Sequence, residues 1–267
     1  MKKISFLMII MICSLFGGTI DAERGVITAT GIGIGNENTN NPAMKRMQAI
    51  TMGKLYAIKD LIATVKGMYV SSETSIEDYM VKSDVIRSKT EGIARAFRVA
   101  NIAYMDDGSI EVTVEMSLNG ELSDLILKDA QFADDGNSSG TPVNTSYNTL
   151  PQVDGPYTGL VIDCSALSLR PALAPKVLDP EGREVYGSAF VSRNFAVEQG
   201  MVGYLKDISK AAGNPRVGDN PLVIKAIDIT GTNSTDVIIS ENDAKKIKDL
   251  AEKINFLREC RVILIIR

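Results

Sequence analysis

The longest organised stretch of the chain runs from Val26 to Val65. It begins as Val26-Ile27-Thr28-Ala29-Thr30-Gly31-Ile32-Gly33-Ile34-Gly35, a β-rich run that ends with glycine at every second position. Side chains alternate along a strand, so Gly31, Gly33 and Gly35 share one face. A polar loop, Asn36 to Asn41, leads into a helical pattern from Pro42 to about Val65. Asn41 suits a helix cap and Pro42 a first turn. Met44, Met47, Thr51, Leu55, Ile58, Ile62 and Val65 recur at steps of three and four, which predicts a core-facing stripe with one polar member. Gly67 stands where that helix should stop.

Met68 to Ser72 then predicts a short strand and Ile76 to Ala96 a second helix. Phe97 to Met105 and Ser109 to Leu118 predict a hairpin turning at Asp107-Gly108. In its second arm Ile110, Val112, Val114, Met116 and Leu118 share one face, while Glu111, Thr113, Glu115 and Ser117 share the other. Such alternation means one packed face and one wet face, so Glu111 and Glu115 read as a solvated strand face rather than an acid/base pair. Leu122 to Lys128 closes a β-α-β-α-β-β-α order, an α+β domain over residues 23–128.

Asp129 to Pro156 is rich in Asp, Asn, Ser, Gly, Thr and Pro without periodicity, and predicts a flexible linker. A second α+β domain is expected over 157–267. Tyr157 to Cys164 predicts a strand, and Arg170 to Pro175 an extended segment. Asp179 to Gly182 predicts a turn and Glu184 to Val191 a return strand. Ala196 to Ala212 has helical spacing interrupted by Gly200 and Gly203. Leu222 to Ile229 and Asp236 to Ile239 predict a strand pair. Ser240 caps a helix whose stripe is Ala244, Ile247, Leu250, Ala251, Ile254 and Leu257. Val262 to Ile266, five apolar residues in a row, predict an interior strand. Both domains are expected to be helices packed on a mostly antiparallel sheet.

The first 22 residues have no place in either domain. Lys2 and Lys3 precede an apolar run from Ile4 to Phe16, and small residues follow, up to Ala22. This predicts a secretory signal peptide cleaved near Ala22, since the apolar core is short for a membrane span; the alternative is an uncleaved anchor. Cys13 follows the large Ile12 where a lipidation site needs a small residue, so no lipid is expected there. Export to the periplasm would permit a disulfide between Cys164 and Cys260; the alternative is two buried thiols.

The chain has 267 residues, 45% of them hydrophobic, enough for two ordinary cores. A net charge of -4 argues against a nucleic-acid surface. Histidine is absent, which removes imidazole-dependent nucleophile systems and most zinc or iron sites. No catalytic residue, metal site or cofactor is therefore expected. The glycine string does not fit a phosphate-binding fingerprint, because its third glycine comes one residue early and a polar loop separates it from the helix. Gly31, Gly33 and Gly35 instead predict a bare strand face that a helix or a neighbouring subunit approaches closely.

The run Thr28-Ala29-Thr30-Gly31-Ile32-Gly33, the helix carrying Ala49, Ala57, Leu61 and Gly67, then Val70 and the hairpin, resembles the Lpp-twenty family of outer-membrane lipoproteins. That family includes the flagellar basal-disk protein FlgP, and the N-terminal domain of the flagellar ring protein FlgT is similar in plan. The resemblance spans roughly Val26 to Leu127. It implies a non-enzymatic envelope protein, structural or assembling, at the flagellar basal body or the outer membrane. Its partners would be further copies of itself or envelope and flagellar proteins, with peripheral outer-membrane association. The alternative function is a periplasmic module binding a small ligand; the absence of Trp counts against a glycan. The two differ in solution size, because an assembling component associates.

Overall fold

The computed structural model describes residues 17–133, 157–251 and 255–267. Most of the expected signal peptide and most of the expected linker lie outside the described residues. The described chain forms two α+β units, joined by the 134–156 segment.

In the first unit, β1 (Thr19–Asp21), β2 (Val26–Gly33), β3 (Arg98–Tyr104) and β4 (Ile110–Ser117) make an antiparallel sheet in the order β1-β2-β4-β3. The hairpin between β3 and β4 turns where Gly108 takes φ 79° and the Asp107 carboxylate accepts from the Ser109 backbone at 2.9 Å. β1 lies in the stretch expected to belong to the signal peptide, yet it pairs Thr19 to Asp21 with Thr28 to Val26.

One long helix, α1 (Pro42–Lys66), covers one face of this sheet. It starts where expected: the Asn41 side chain accepts from the Ala43 and Met44 backbones. Its rotation about its own axis differs from the expectation. The buried residues are Ala49, Gly53, Ala57, Leu61 and Val65, whereas Met44, Met47, Thr51 and Leu55 are exposed. Of the predicted stripe only Val65 is fully buried, with Ile58 and Ile62 half-buried. The cause is steric. A Cβ on Gly33 would run into the Ala49 carbonyl and the Gly53 nitrogen, and one on Gly31 into the Gly53 carbonyl and the Ala57 nitrogen. Over Gly31 and Gly33 the helix backbone lies so close that only Ala49, Gly53 and Ala57 fit between, so Met44, Met47 and Leu55 turn outward, while Leu61 and Val65 are buried further along the helix.

The predicted helix from Ile76 to Ala96 is two helices, α2 (Ile76–Lys82) and α3 (Asp84–Arg95). Ser83 sits extended between them at φ -148° and its hydroxyl accepts from the Ile86 backbone at 3.3 Å. It ends one helix and caps the next, which serine does well. Met68 to Ser72 makes no strand of its own; Tyr69 bridges Ser75 and, across the two units, Ala172. A short helix, α4 (Glu121–Ile126), closes the unit.

The second unit holds two sheets. The larger contains β5 (Gly159–Asp163), β8 (Gly203–Leu205), β9 (Pro221–Lys225) and β12 (Val262–Ile265), ordered β8-β12-β5-β9 and parallel throughout. A mostly antiparallel sheet leaves this feature out. Its two central strands are almost entirely apolar and buried on both faces, which is the usual setting for parallel pairing. The smaller sheet is mixed and contains β6 (Val177–Leu178), β7 (Glu184–Tyr186), β10 (Asp228–Thr230) and β11 (Asp236–Ile238). The predicted strand Leu222 to Ile229 therefore divides after Lys225, and its two parts serve different sheets. The helical spacing of Ala196 to Ala212 yields α5 (Arg193–Gln199) and a single 3-10 turn (Ile208–Lys210) rather than one helix, because Gly200 takes φ 82° and the chain turns into β8. The capped helix is present as α6 (Glu241–Ala251), with the Ser240 hydroxyl accepting from the Asp243 backbone at 3.1 Å.

The units share a core. One continuous cluster of buried side chains runs from Ile27, Leu61 and Leu122 to Leu160, Tyr186 and Val262. Backbone bonds cross the boundary too: Leu173 N–H to the Tyr69 carbonyl at 3.1 Å, Ala174 to Val70 at 2.8 Å, and Gly120 to Val197 at 2.8 Å.

Candidate functional site

Gly31, Gly33 and Gly35 lie together at the end of β2, and their bare face is filled from within the chain. α1 covers the first two, and the Lys45 backbone and side chain stand against Gly35. The close approach is intramolecular.

Cys164 and Cys260 are not brought together. Both are buried free thiols. Val262 of β12 pairs in parallel with Leu160 of β5, which places Cys260 level with Thr158, six residues short of Cys164. At about 3.3 Å per strand residue the two are roughly 20 Å apart along the sheet, whereas a disulfide needs Cα atoms within about 7 Å. The expectation of a disulfide between them is thus replaced by two separate thiols. Burial, with the Asp163 charge adding, pushes the Cys164 thiol up to about 12. Burial raises Cys260 to about 11 against the opposing effects of Tyr186 and Arg216. Neither is a ready thiolate.

Glu111 is half-buried, and Glu115 is held by two arginines, Arg24 at 2.9 Å and Arg98 at 2.5 Å. Glu115 is buried rather than on the wet face expected of it; the Arg98 hydrogen bond first, then Arg24, keeps its carboxyl below the usual range despite that burial. Among the described residues no three His, Cys, Asp or Glu side chains are grouped to hold a metal ion. No described helix is long and apolar enough to cross a membrane.

Two surface features remain. The first is the outer side of α1. Met44, Met47 and Leu55 are 48%, 60% and 55% exposed, and Ile34 beside them is 67% exposed. Ile34, Met47, Thr51 and Met52 border a shallow apolar groove there.

The second is a cleft of about 300 Å³ between the units. The β1–β2 turn and Leu118 of the first unit form one wall, and Pro171 to Leu173, Gly200 to Leu205 and Arg216 of the second form the other. Tyr204 braces the second wall: its hydroxyl donates to the Ala172 carbonyl and accepts from the Ala172 N–H, both at 2.9 Å. Arg216 is placed by a tight turn in which the Asn214 side chain accepts from its backbone at 3.0 Å. Its guanidinium donates to the carbonyls of Gly200 at 3.1 Å, Cys260 at 2.8 Å and Gln199. Gly203 has no side chain where Arg216 passes; a Cβ there would stand 2.8 Å from Nε. Burial lowers the Arg216 pKa, yet a guanidinium remains charged. Arg216 is not recognisable in sequence, because its signal, a glycine opposite an arginine from a neighbouring turn, exists only in three dimensions.

Residues 159–267 match the family described as Treponema pallidum Tp0624, second domain. The matched span is the second unit, less than half of the 267 residues. No curated protein matches the chain.

Proposed function

We propose that the protein is an exported, non-enzymatic component of the cell envelope that acts by assembly, with residues 23–128 as an Lpp-twenty-like assembly module. Its partners are further copies of itself or proteins of the flagellar basal body or outer membrane. The observation that carries this reading is the outer side of α1. Large apolar side chains on one helix, left in water at about half exposure, are what a protein contact surface presents. The absence of histidine from the chain agrees, since it removes the commonest general base.

The test is solution size. The purified chain should associate at micromolar concentration, or do so with envelope proteins captured by cross-linking in cells. Met47→Glu with Leu55→Glu should abolish that association while leaving the circular dichroism spectrum unchanged, because neither side chain is in the core. A monomer with no cross-linked partner, or association indifferent to the double substitution, would overturn the reading. The alternative, a small-ligand-binding module, is favoured by the cleft between the units.

A further inference from the structure

We propose that the cleft between the two units binds a small organic monocarboxylate on the guanidinium of Arg216. The proposal does not rest on the assembly reading, because the cleft and the outer side of α1 are separate surfaces.

Arg216 lines the cleft and carries a full positive charge with no carboxylate partner among the described residues. Its guanidinium meets three backbone carbonyls instead. The Gln199 and Gly200 carbonyls end α5, so they orient the planar fork and offset part of its charge, but none of the three is an anion. Arg216 is half-buried, and a partly desolvated guanidinium makes charge-assisted hydrogen bonds to a carboxylate with whichever N–H groups the carbonyls leave. The other arginine at the cleft, Arg24, is already engaged by Glu115 at 2.9 Å. Arg216 is thus the cation left for a ligand.

The rest of the lining sets the ligand's class. Met68, Leu173, Met201 and Tyr204 offer apolar wall for a hydrocarbon body. A volume of about 300 Å³ lies at the lower end of ligand sites, so that body is small. Glu23 and Glu198 also border the cleft. Glu23 is paired with Lys210 at 3.4 Å, and the Glu198 carboxylate repels a phosphate dianion about twice as strongly as a ligand with a single charge.

The experiment uses the full chain and three probes, butyrate, N-acetylleucine and inorganic phosphate, read by calorimetry and by hydrogen–deuterium exchange. A monocarboxylate should bind saturably and slow exchange in peptides spanning 199–205 and 214–217, while phosphate should not. Arg216→Gln should lose at least about tenfold in affinity, as expected for removal of a charge-assisted pair. Should Arg216→Gln fail to fold, Leu173→Trp, which fills the cleft from a half-buried wall position, must abolish binding instead. Absence of carboxylate binding to the wild-type chain would overturn the proposal. So would protection elsewhere, equal binding of phosphate, or undiminished binding by a folded Arg216→Gln or Leu173→Trp chain.

Discussion

At Gly33 a single added methyl group meets backbone atoms that cannot rotate away, the Ala49 carbonyl and the Gly53 nitrogen. Gly33→Val should therefore force α1 off the sheet and destabilise the fold by about 1–3 kcal/mol, the usual cost of overpacking, visible as a lower urea midpoint. Gly92 is the matched control. It lies in α3 with open space for 4 Å around the place a Cβ would take, so Gly92→Ala should stabilise by about 0.5–1 kcal/mol through helix propensity. The glycine string itself is legible in the sequence, as is the close approach it implies. What fills the gap is not, because the matching residues Ala49, Gly53 and Ala57 are small and make no hydrophobic signal of their own. The cysteines show the converse: two thiols and the expectation of export suggest a bond, and the parallel register of β5 and β12 keeps them apart.

At the scale of elements, the boundaries of α1, the β3–β4 hairpin and the start of α6 are legible, because Asn41-Pro42, Asp107-Gly108 and Ser240 act locally. The face that α1 buries is not, since it depends on the size of the space over β2 rather than on hydrophobicity alone. Likewise the break after Lys225 leaves no local mark. The turn after β6 makes an element-scale prediction. The Asp179 side chain is 1% exposed and pairs with Arg183 at 2.6 Å and Lys248 of α6 at 3.7 Å. Burial opposes its ionisation, but the Arg183 backbone N–H, the Arg183 guanidinium and Lys248 outweigh it and hold the carboxyl below its ordinary 3.8. The folded pKa is thus lower than the unfolded one, so the stabilisation is complete above the unfolded value and is lost as pH falls through 3.8 towards the folded value. Asp179→Asn should lower the urea midpoint at pH 7 and reduce its further fall on going to pH 3. Equal pH dependence in both chains would refute this assignment.

For the whole molecule, the sequence predicts a division into 23–128, a linker and 157–267, yet composition says nothing about how two units meet, nor that Thr19–Asp21 adds a strand to the first unit. They meet through a shared core and through main-chain bonds. Cation and carboxylate pairs add to this, with Arg193 to Asp124 at 2.6 Å and Lys210 to Glu23 at 3.4 Å. Arg170 reaches Tyr69 both as a 2.8 Å hydrogen bond to its hydroxyl and over its ring, 5.7 Å from the centroid. Asn233 N–H donates to the Ser72 carbonyl at 3.0 Å, tying the β10–β11 turn to the first unit. Contacts of this kind, made beside apolar residues such as Leu122 and Leu160 that neither unit could expose without cost, make the pair one cooperative body. A protease site placed within 134–156 should consequently give two fragments that stay together. Size-exclusion chromatography should show them co-eluting at the mass of the uncut chain, and calorimetry should show one melting transition at a lower midpoint, since cutting the connection raises the entropy of the unfolded state. Two separate transitions, or fragments that part without denaturant, would mean that the shared core does not couple the units and that the cleft between them has no fixed shape.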